Sequence, residues 1–229
     1  MSLHGIAKLA PLKQQAAPLR NKIISALRTA IETDVLLPGT RLIEKDLCDR
    51  LEVSRTSLRE ALRELQAHGV IENAGARGLT VCSISPEEAQ NVYRIRAVLE
   101  ALVVEQFIEK ATEIDMRLLA QDSETLKGAY RSGVLERMLV AKRAFYDRIC
   151  TTADNAIAFD ILDRLVLRTS SLRSRSMLRK ARQQLSIEEI TTLVEAIEKR
   201  DIPAARQAAM EHVKHSAAFA LGDLPGDEA

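Results

Sequence analysis

The sequence is poor in aromatic residues and in the two residue types that most often interrupt helices. Only 3% of its 229 residues are aromatic, none is tryptophan, and it has 9 glycines and 6 prolines. Sheet-rich proteins depend on aromatic and β-branched residues and on many turns, so this scarcity argues against a sheet-rich fold. The abundant residues are alanine, leucine, isoleucine, glutamate, arginine and lysine, most of which favour helices. We therefore predict a mainly helical protein.

The sequence also lacks the marks of a secreted, disulfide-bonded or membrane protein. Its three cysteines, Cys48, Cys82 and Cys150, are isolated, odd in number and not spaced like metal ligands. Such cysteines are typical of a reducing compartment, so we expect a cytoplasmic protein. No apolar run approaches the roughly 18 residues of a membrane span, and the first residues lack the apolar stretch of a signal peptide. We expect no membrane partner.

A strong excess of one charge is missing as well, because the net charge is only +1. Residues 1–84 hold 12 Lys and Arg against 9 Asp and Glu, and residues 85–229 hold 21 against 23. A slightly basic first part beside a slightly acidic second part fits one DNA-facing module. The sequence has no glycine-rich phosphate loop, no nucleophile with a suitable base and no paired acids at a strand end. We therefore expect no enzymatic activity.

One short stretch contains the most informative pattern in the chain. From Leu58 to Leu65, apolar residues recur at i, i+3, i+4 and i+7, which predicts a helix with one buried face. Ser54 is placed to cap its first turn, and Thr56 and Arg59 lie on the outer face with Arg55 at its edge. Hydroxyl and N–H groups at a helix start suit phosphate oxygens, and arginines suit phosphates or guanine edges. An ordinary amphipathic helix with a solvated basic face would show the same pattern.

The neighbouring segments favour the nucleic-acid interpretation. Spacing and breaks predict helices at 18–36, 44–51 and 55–67, followed by short strands at 70–73 and 79–82. The turn between the strands is glycine-rich and carries Arg77 near its tip. Helix, helix, tight turn, helix and hairpin is the order of a winged helix-turn-helix, whose third helix enters the major groove.

After this unit the chain is predicted to be almost entirely helical. Ser85 and Glu88 form a capping-box pattern, with Pro86 at the first helical position. Six helices are predicted, at about 86–110, 113–130, 134–153, 156–179, 187–199 and 202–220. We therefore expect an antiparallel six-helix bundle. The predicted organisation is a flexible arm at 1–17, a DNA-binding domain at 18–84, an effector-binding and dimerisation domain at 85–221, and a tail at 222–229.

The first part resembles the GntR family of bacterial transcription regulators. The segment Leu37–Leu42 is similar to that family's "L-x-P-G-x-x-L" motif, and Val53–Leu62 is similar to its "V-S-R-T-P-V-R-E-A-L" signature. Gly69–Ile71 and Arg77–Gly78 resemble its wing. The resemblance implies a homodimer that binds a pseudo-palindromic operator in double-stranded DNA. It implies DNA contacts from Arg41, Lys45, Ser54, Arg55, Thr56, Ser57, Arg59, Arg77 and Gly78.

The second part resembles the FadR subfamily's helical effector domain, called FCD, in its six-helix VanR-like variant. Arg96–Glu100 is similar to its "R-x-x-L-E" motif. Many members bind a divalent metal through an Asp and three His. The corresponding positions here are Lys142, Tyr146, Ile190 and His212, so only the last ligand type is kept. An ammonium, a phenol and an isoleucine cannot hold a cation, and we expect neither a metal nor another cofactor.

Two interpretations of this altered site remain open. In the first, Lys142 replaces the lost cation with its own charge, and Arg96, Tyr146 and His212 help to hold a small carboxylate. In the second, the pocket is filled and Lys142 turns to solvent. The expected function is correspondingly a DNA-binding regulator, a repressor, whose helical domain dimerises and binds a small organic acid. The alternative is a DNA-binding protein whose helical domain only dimerises.

Overall fold

The computed structural model describes residues 17–222 and begins with a winged helix-turn-helix. The predicted arm and tail lie outside the described residues, except that Ala17 begins the first helix and Gly222 ends the last. The unit comprises α1 (Ala17–Glu32), α2 (Glu44–Leu51), α3 (Arg55–Ala67), β1 (Ile71–Asn73) and β2 (Leu79–Val81). The two strands pair antiparallel, with Ile71 opposite Val81 and Asn73 opposite Leu79. Arg41 bridges Thr80, so the segment before α2 extends the small sheet.

The core of this unit lies between α1, α3 and the wing. Leu58, Ala61, Leu62 and Leu65 are all buried, so the predicted apolar face of α3 is confirmed. They pack with Ile23, Leu27 and Ile31 of α1 and with Val70, Ile71 and Val81 of the wing. The same core also contains Leu167, which belongs to the helical part of the chain and is 1% exposed. The two parts therefore share one apolar cluster at their boundary.

The rest of the described chain is an antiparallel helical bundle, which confirms the predicted fold class. Its helices are α4 (Pro86–Lys110), α5 (Glu113–Ser132), α6 (Leu135–Ala153), α7 (Ala156–Arg168), α8 (Ser170–Met177), α9 (Lys180–Glu198) and α10 (Ile202–Leu221). The long helix α4 packs against α10 and α6, while α9 packs against α10 and α5. The predicted capping box of Ser85 and Glu88 is present, and Thr112 and Asp115 form another. None of the described helices is long and apolar enough to cross a membrane.

The described bundle has seven helices and not six, and the start of one further helix also differs from the prediction. The helix predicted at 156–179 is divided at Thr169, whose backbone leaves helical geometry at φ −103° and ψ 13°. Its hydroxyl donates to the carbonyl oxygens of Leu165 and Val166, at 3.3 Å each, and so caps the end of α7. The next helix begins at Lys180 and not near 187, and Ser186 lies buried inside it.

Candidate nucleic-acid interface and effector site

The start of α3 presents hydroxyl groups and arginines to solvent. Ser54 is the N-cap, as predicted, and its Oγ accepts from the backbone N–H of Ser57 at 3.2 Å. The Oγ atoms of Ser54 and Ser57 lie 3.0 Å apart, and Arg55 and Thr56 between them are exposed. The first turn of the helix also leaves backbone N–H groups without intrahelical acceptors. This end of α3 is therefore suited to phosphate oxygens.

Arg59 follows one turn later and is positioned by the preceding helix. Its Nε donates to both carboxylate oxygens of Glu44 in α2, at 3.0 and 2.9 Å, while its side chain stays 59% exposed. This pair uses Nε, so the two terminal nitrogens keep their donors for a base edge or a phosphate. Lys45, beside Glu44, is also exposed. A positioned arginine loses less side-chain entropy when it binds.

The wing supplies a second exposed cation and a surface cleft. Arg77 is exposed on the short 3₁₀ turn that joins the strands. Gly78 closes that turn at φ 73° and ψ −148°, a backbone conformation that residues with a Cβ rarely adopt. A cleft of about 320 Å³ separates the wing from the start of α2 and is lined in part by Arg41 and Gly78. All nine residues predicted to contact DNA thus lie on this domain, and none is buried; their contacts with DNA stay a prediction.

A group of charged and polar side chains lies inside the helical bundle, where apolar residues are the rule. We call it the polar cluster; it comprises Arg96 and Glu100 of α4, Lys142 and Tyr146 of α6, Arg182 and Glu189 of α9, and His212 of α10. It contains all four residues predicted for the effector site. Lys142 is 5% exposed, so the expectation that this lysine turns to solvent is wrong.

His212 lies at the centre of the cluster with both ring nitrogens engaged. Its Nδ1 is 2.6 Å from a carboxylate oxygen of Glu189 and its Nε2 is 3.1 Å from the Nζ of Lys142. Because a carboxylate only accepts, the proton belongs on Nδ1, and Nε2 accepts from the amine. Burial and the neighbouring Lys142 lower the pKa of His212 to about 4 despite its carboxylate partner, so the ring is neutral near pH 7.

The carboxylates and guanidinium groups of the cluster are paired. Arg96 donates to Glu100 at 2.8 and 3.1 Å, and Arg182 donates to Glu189 at 2.8 Å. Burial alone would raise the pKa of both carboxyl groups, but Arg96 beside Glu100 outweighs it and holds that pKa below its usual value. Hydrogen bonding from His212 and the charge of Arg182 likewise lower the pKa of Glu189 to about 2.

Lys142 is the cluster cation that has no carboxylate of its own. Burial, followed by the charges of Arg182, Arg173 and Arg96, lowers the pKa of Lys142 well below its ordinary value of 10.5. Deprotonation of a buried amine is the usual response when its charge is not compensated. An anion beside Lys142 would compensate that charge, so the cluster is suited to a small carboxylate.

Several buried polar atoms around the cluster have no hydrogen-bond partner within the described residues. They are the Nη1 of Arg96, the Oε2 of Glu100, the Oγ of Ser186 and the hydroxyls of Tyr93, Tyr130 and Tyr146; of these, Tyr146 faces Glu100 and Tyr130 faces Ser186. An unpaired buried polar group costs about 1–3 kcal/mol, and the Nη1 of Arg96 and the hydroxyl of Tyr93 have no such neighbour. The arrangement favours a site for a polar ligand.

The same residues do not fit a divalent metal. Lys142 is a hydrogen-bond donor toward the Nε2 of His212, the lone pair that a metal would need. Ile190, at another family ligand position, is fully buried in the apolar core. Within residues 17–222, no group of three or more His, Cys, Asp or Glu side chains could hold a metal ion. The absence of a metal cofactor stays a prediction.

Sequence reasoning missed Arg182 and Glu189, which form much of the cluster. The two residues are seven apart and share one face of α9 with Ser186, but the predicted helix began only near residue 187. An acid and a base two helical turns apart, separated by a small residue on the same face, would have indicated a polar stripe. This pattern can be recognised only when the helix is known to begin at Lys180, because Arg182 and Ser186 otherwise lie outside it.

Known proteins resemble this chain over both of its parts. Residues 91–215 match the FCD domain, and residues 19–81 match the bacterial regulatory proteins of the gntR family. The HTH-type transcriptional repressor RspR of Escherichia coli (strain K12) is 26% identical over 197 residues, covering 86% of each chain. The uncharacterized HTH-type transcriptional regulator YdhC of Bacillus subtilis (strain 168) is 24% identical over 208 residues, covering 86% of this chain and 89% of that protein. The solved structure of E. coli McbR/YncC matches with a TM-score of 0.81 and 25% identity, covering 90% of this chain and 98% of that chain.

Proposed function

We propose that this chain, which belongs to the GntR family of transcriptional regulators and carries an FCD domain, is a homodimeric repressor controlled by a small carboxylate. The observation that carries the DNA-binding role is the exposed start of α3, with two hydroxyls 3.0 Å apart beside Arg55 and Arg59. Hydroxyl and N–H groups there bind phosphates, and the arginines contact base edges in the major groove. We infer that the protein acts on chromosomal DNA in the cytoplasm.

A dimer is favoured by the exposed apolar faces of α4 and α7. Ile95 and Val98 of α4 and Ile157 and Ile161 of α7 are exposed, Ile157 by 75%. The two helices also pack against each other. A large exposed apolar patch on a globular domain marks an interaction surface. A second copy related by a two-fold axis would cover it and present two α3 helices to the two halves of a palindromic site.

The polar cluster supports an effector role for the helical domain. A helical domain that only dimerises has no need for a buried lysine, two buried ion pairs and unpaired hydroxyls in its centre. In our proposal the carboxylate binds beside Lys142, with Arg96, Tyr146 and His212 in contact, and binding changes the relative position of the two DNA-binding domains. A coupling of about 1–3 kcal/mol between the sites is enough for such regulation.

Substitution of the recognition arginines tests the DNA-binding role. The parent protein is used to select its operator from random duplexes, and affinities are then measured by fluorescence anisotropy at fixed salt. Arg55→Ala and Arg59→Ala should each weaken operator binding about 5- to 150-fold, because a bidentate arginine–base pair contributes about 1–3 kcal/mol. Arg137→Ala, which removes an exposed arginine from α6, is the matched control and should bind like the parent. If both α3 variants bound as tightly as the parent, the assignment of α3 would be wrong.

A further inference from the structure

The stretch from the end of α7 through α8 to the start of α9 carries positive charge without acids of its own. Between Asp163 and Glu188 the sequence has seven Lys and Arg and no Asp or Glu. Two of them have partners in the DNA-binding domain: Arg173 and Arg175 of α8 pair with Glu32 and Asp34 at the end of α1, at 3.1 and 3.2 Å. Helix α8 also packs directly against α1. The helical part thus holds the first helix of the DNA-binding domain through ion pairs.

Arg173 differs from Arg175 because it also faces the interior of the bundle. The side chains of Arg173 and Glu32 are 11% and 15% exposed, whereas that of Arg175 is 58% exposed. The Nε of Arg173 is buried and has no partner within the described residues. Helix α8, which carries Arg173, packs against α6, α9 and α10, the helices of Lys142, Arg182 and His212. Burial lowers the pKa of Arg173, and the charge of Arg96 lowers it further. One guanidinium therefore contacts the DNA-binding domain and borders the cluster.

We propose that Arg173 couples the polar cluster to the DNA-binding domain, because it is shared between Glu32 and an anion bound in the cluster. This inference rests on the proposed carboxylate site and explains how a carboxylate bound there would change the affinity for DNA. Arg96 and Arg182 already have carboxylate partners inside the bundle, whereas the partner of Arg173 lies on another domain. A new negative charge in the cluster attracts Arg173 inward and weakens its bond to Glu32.

Loss of that bond would loosen α1, which packs against the recognition helix. Glu32 is the last residue of α1, and α1 and α3 share the core of the DNA-binding domain. The bonds of Arg28 to Asp163 and of Asp34 to Ser171 keep α1 attached, so the loss shifts the last turn of α1, and α3 with it, relative to the bundle. A buried charged hydrogen bond is strong enough for its loss to change operator affinity by about tenfold.

The chain contains its own reporter for this coupling. It has three tyrosines and no tryptophan, and Tyr93, Tyr130 and Tyr146 all lie at the polar cluster. In the full-length protein with ¹³C-labelled tyrosine rings, every NMR signal thus comes from that region. Glu32→Gln, a change in the DNA-binding domain, should shift the signals of Tyr93 and Tyr130. Asp34→Asn removes the charge pair with Arg175, keeps an oxygen that accepts from Ser171, and should leave the signals unchanged. Unchanged signals in Glu32→Gln, or equal shifts in both variants, would overturn the proposal.

A second experiment uses sodium acetate as the probe, with sodium chloride at equal ionic strength as the control. In the parent, acetate should shift the tyrosine signals, increase amide exchange in the last turn of α1 and weaken operator binding about tenfold. In Arg173→Gln, acetate should still shift the tyrosine signals but lose the other two effects. An Arg173→Gln variant that releases DNA as the parent does would exclude the coupling. If acetate shifts no tyrosine signal in any variant, the carboxylate site fails, and the Glu32→Gln result still decides the coupling independently.

Discussion

At position 142 the bundle buries a lysine amine 3.1 Å from a neutral imidazole, with guanidinium groups nearby. Nothing in the apolar core of the bundle requires this residue. Its neighbours on α6, Met138, Ala141 and Phe145, supply the packing. Burial of an amine without a carboxylate of its own reduces the stability of the fold. The residue thus has the energetic signature of a functional position, at which stability is given up for binding.

The variant Lys142→Met tests that interpretation through stability and pH. We expect it to be more stable than the parent at pH 7 by about 1–3 kcal/mol, because a buried amine without a carboxylate partner is replaced by an apolar group of similar size. The folded-state pKa of Lys142 lies well below 10.5, so unfolding takes up a proton above that folded pKa. The parent should therefore gain stability as the pH rises toward 10, and the difference between the two proteins should shrink.

Chemical unfolding of both proteins at pH 7 and pH 10 measures this difference. The same variant should also lose the acetate-induced shift of the tyrosine signals. A Lys142→Met protein that is less stable than the parent and still responds to acetate would assign Lys142 a structural role outside the effector site. Lys110→Met, which replaces a lysine near the surface end of α4, is the control and should not gain stability in this way.

At the scale of single elements, helices with local start signals could be predicted and those without could not. The bounds of α2 and α3 and the capping boxes of α4 and α5 follow from residues within three or four positions of each helix start. The start of α9 does not, because Arg182, Ser186 and Glu189 are polar residues that face inward. The burial of Arg182 and Glu189 is favoured by His212 on α10, which lies 23 or more residues away in the chain. The family resemblance therefore identified the effector residues of α6 and α10, whereas neither it nor periodicity identified those of α9.

The N-cap of α3 provides a prediction at this scale, because Ser54 has both a structural and a DNA-binding role. Ser54→Ala and Ser85→Ala each remove the cap of one helix and should each lower the free energy of unfolding by about 1 kcal/mol. Only Ser54→Ala should also weaken operator binding, since its hydroxyl lies at the proposed phosphate site. Chemical unfolding and fluorescence anisotropy of the two variants separate these contributions. Equal operator affinities would remove Ser54 from the interface.

At the scale of the whole molecule, the dimer connects the two DNA-binding domains. Ile157→Asp introduces a charge into the apolar face of α7, and we expect it to shift the protein toward monomers in analytical ultracentrifugation. Operator affinity should fall with it, because a monomer contacts one half-site only. Val140→Asp is the matched control, since Val140 is 72% exposed on α6, outside the proposed interface. If Ile157→Asp remained dimeric, the interface would have to lie on another face.

The shared core at the domain boundary limits how this protein can be divided or recombined. Leu167 of α7 is buried among residues of α1, α3 and the wing, so the DNA-binding domain completes its interior with a side chain supplied about 85 residues past its own last strand. An isolated fragment that ends near residue 84 would lack Leu167, so the apolar residues that pack against it would be exposed to water. Such a fragment should be prone to self-association. A chimera that takes its helical domain from a relative would need an apolar side chain of similar size at the position of Leu167. Exchange of domains between such regulators is therefore constrained by this one contact.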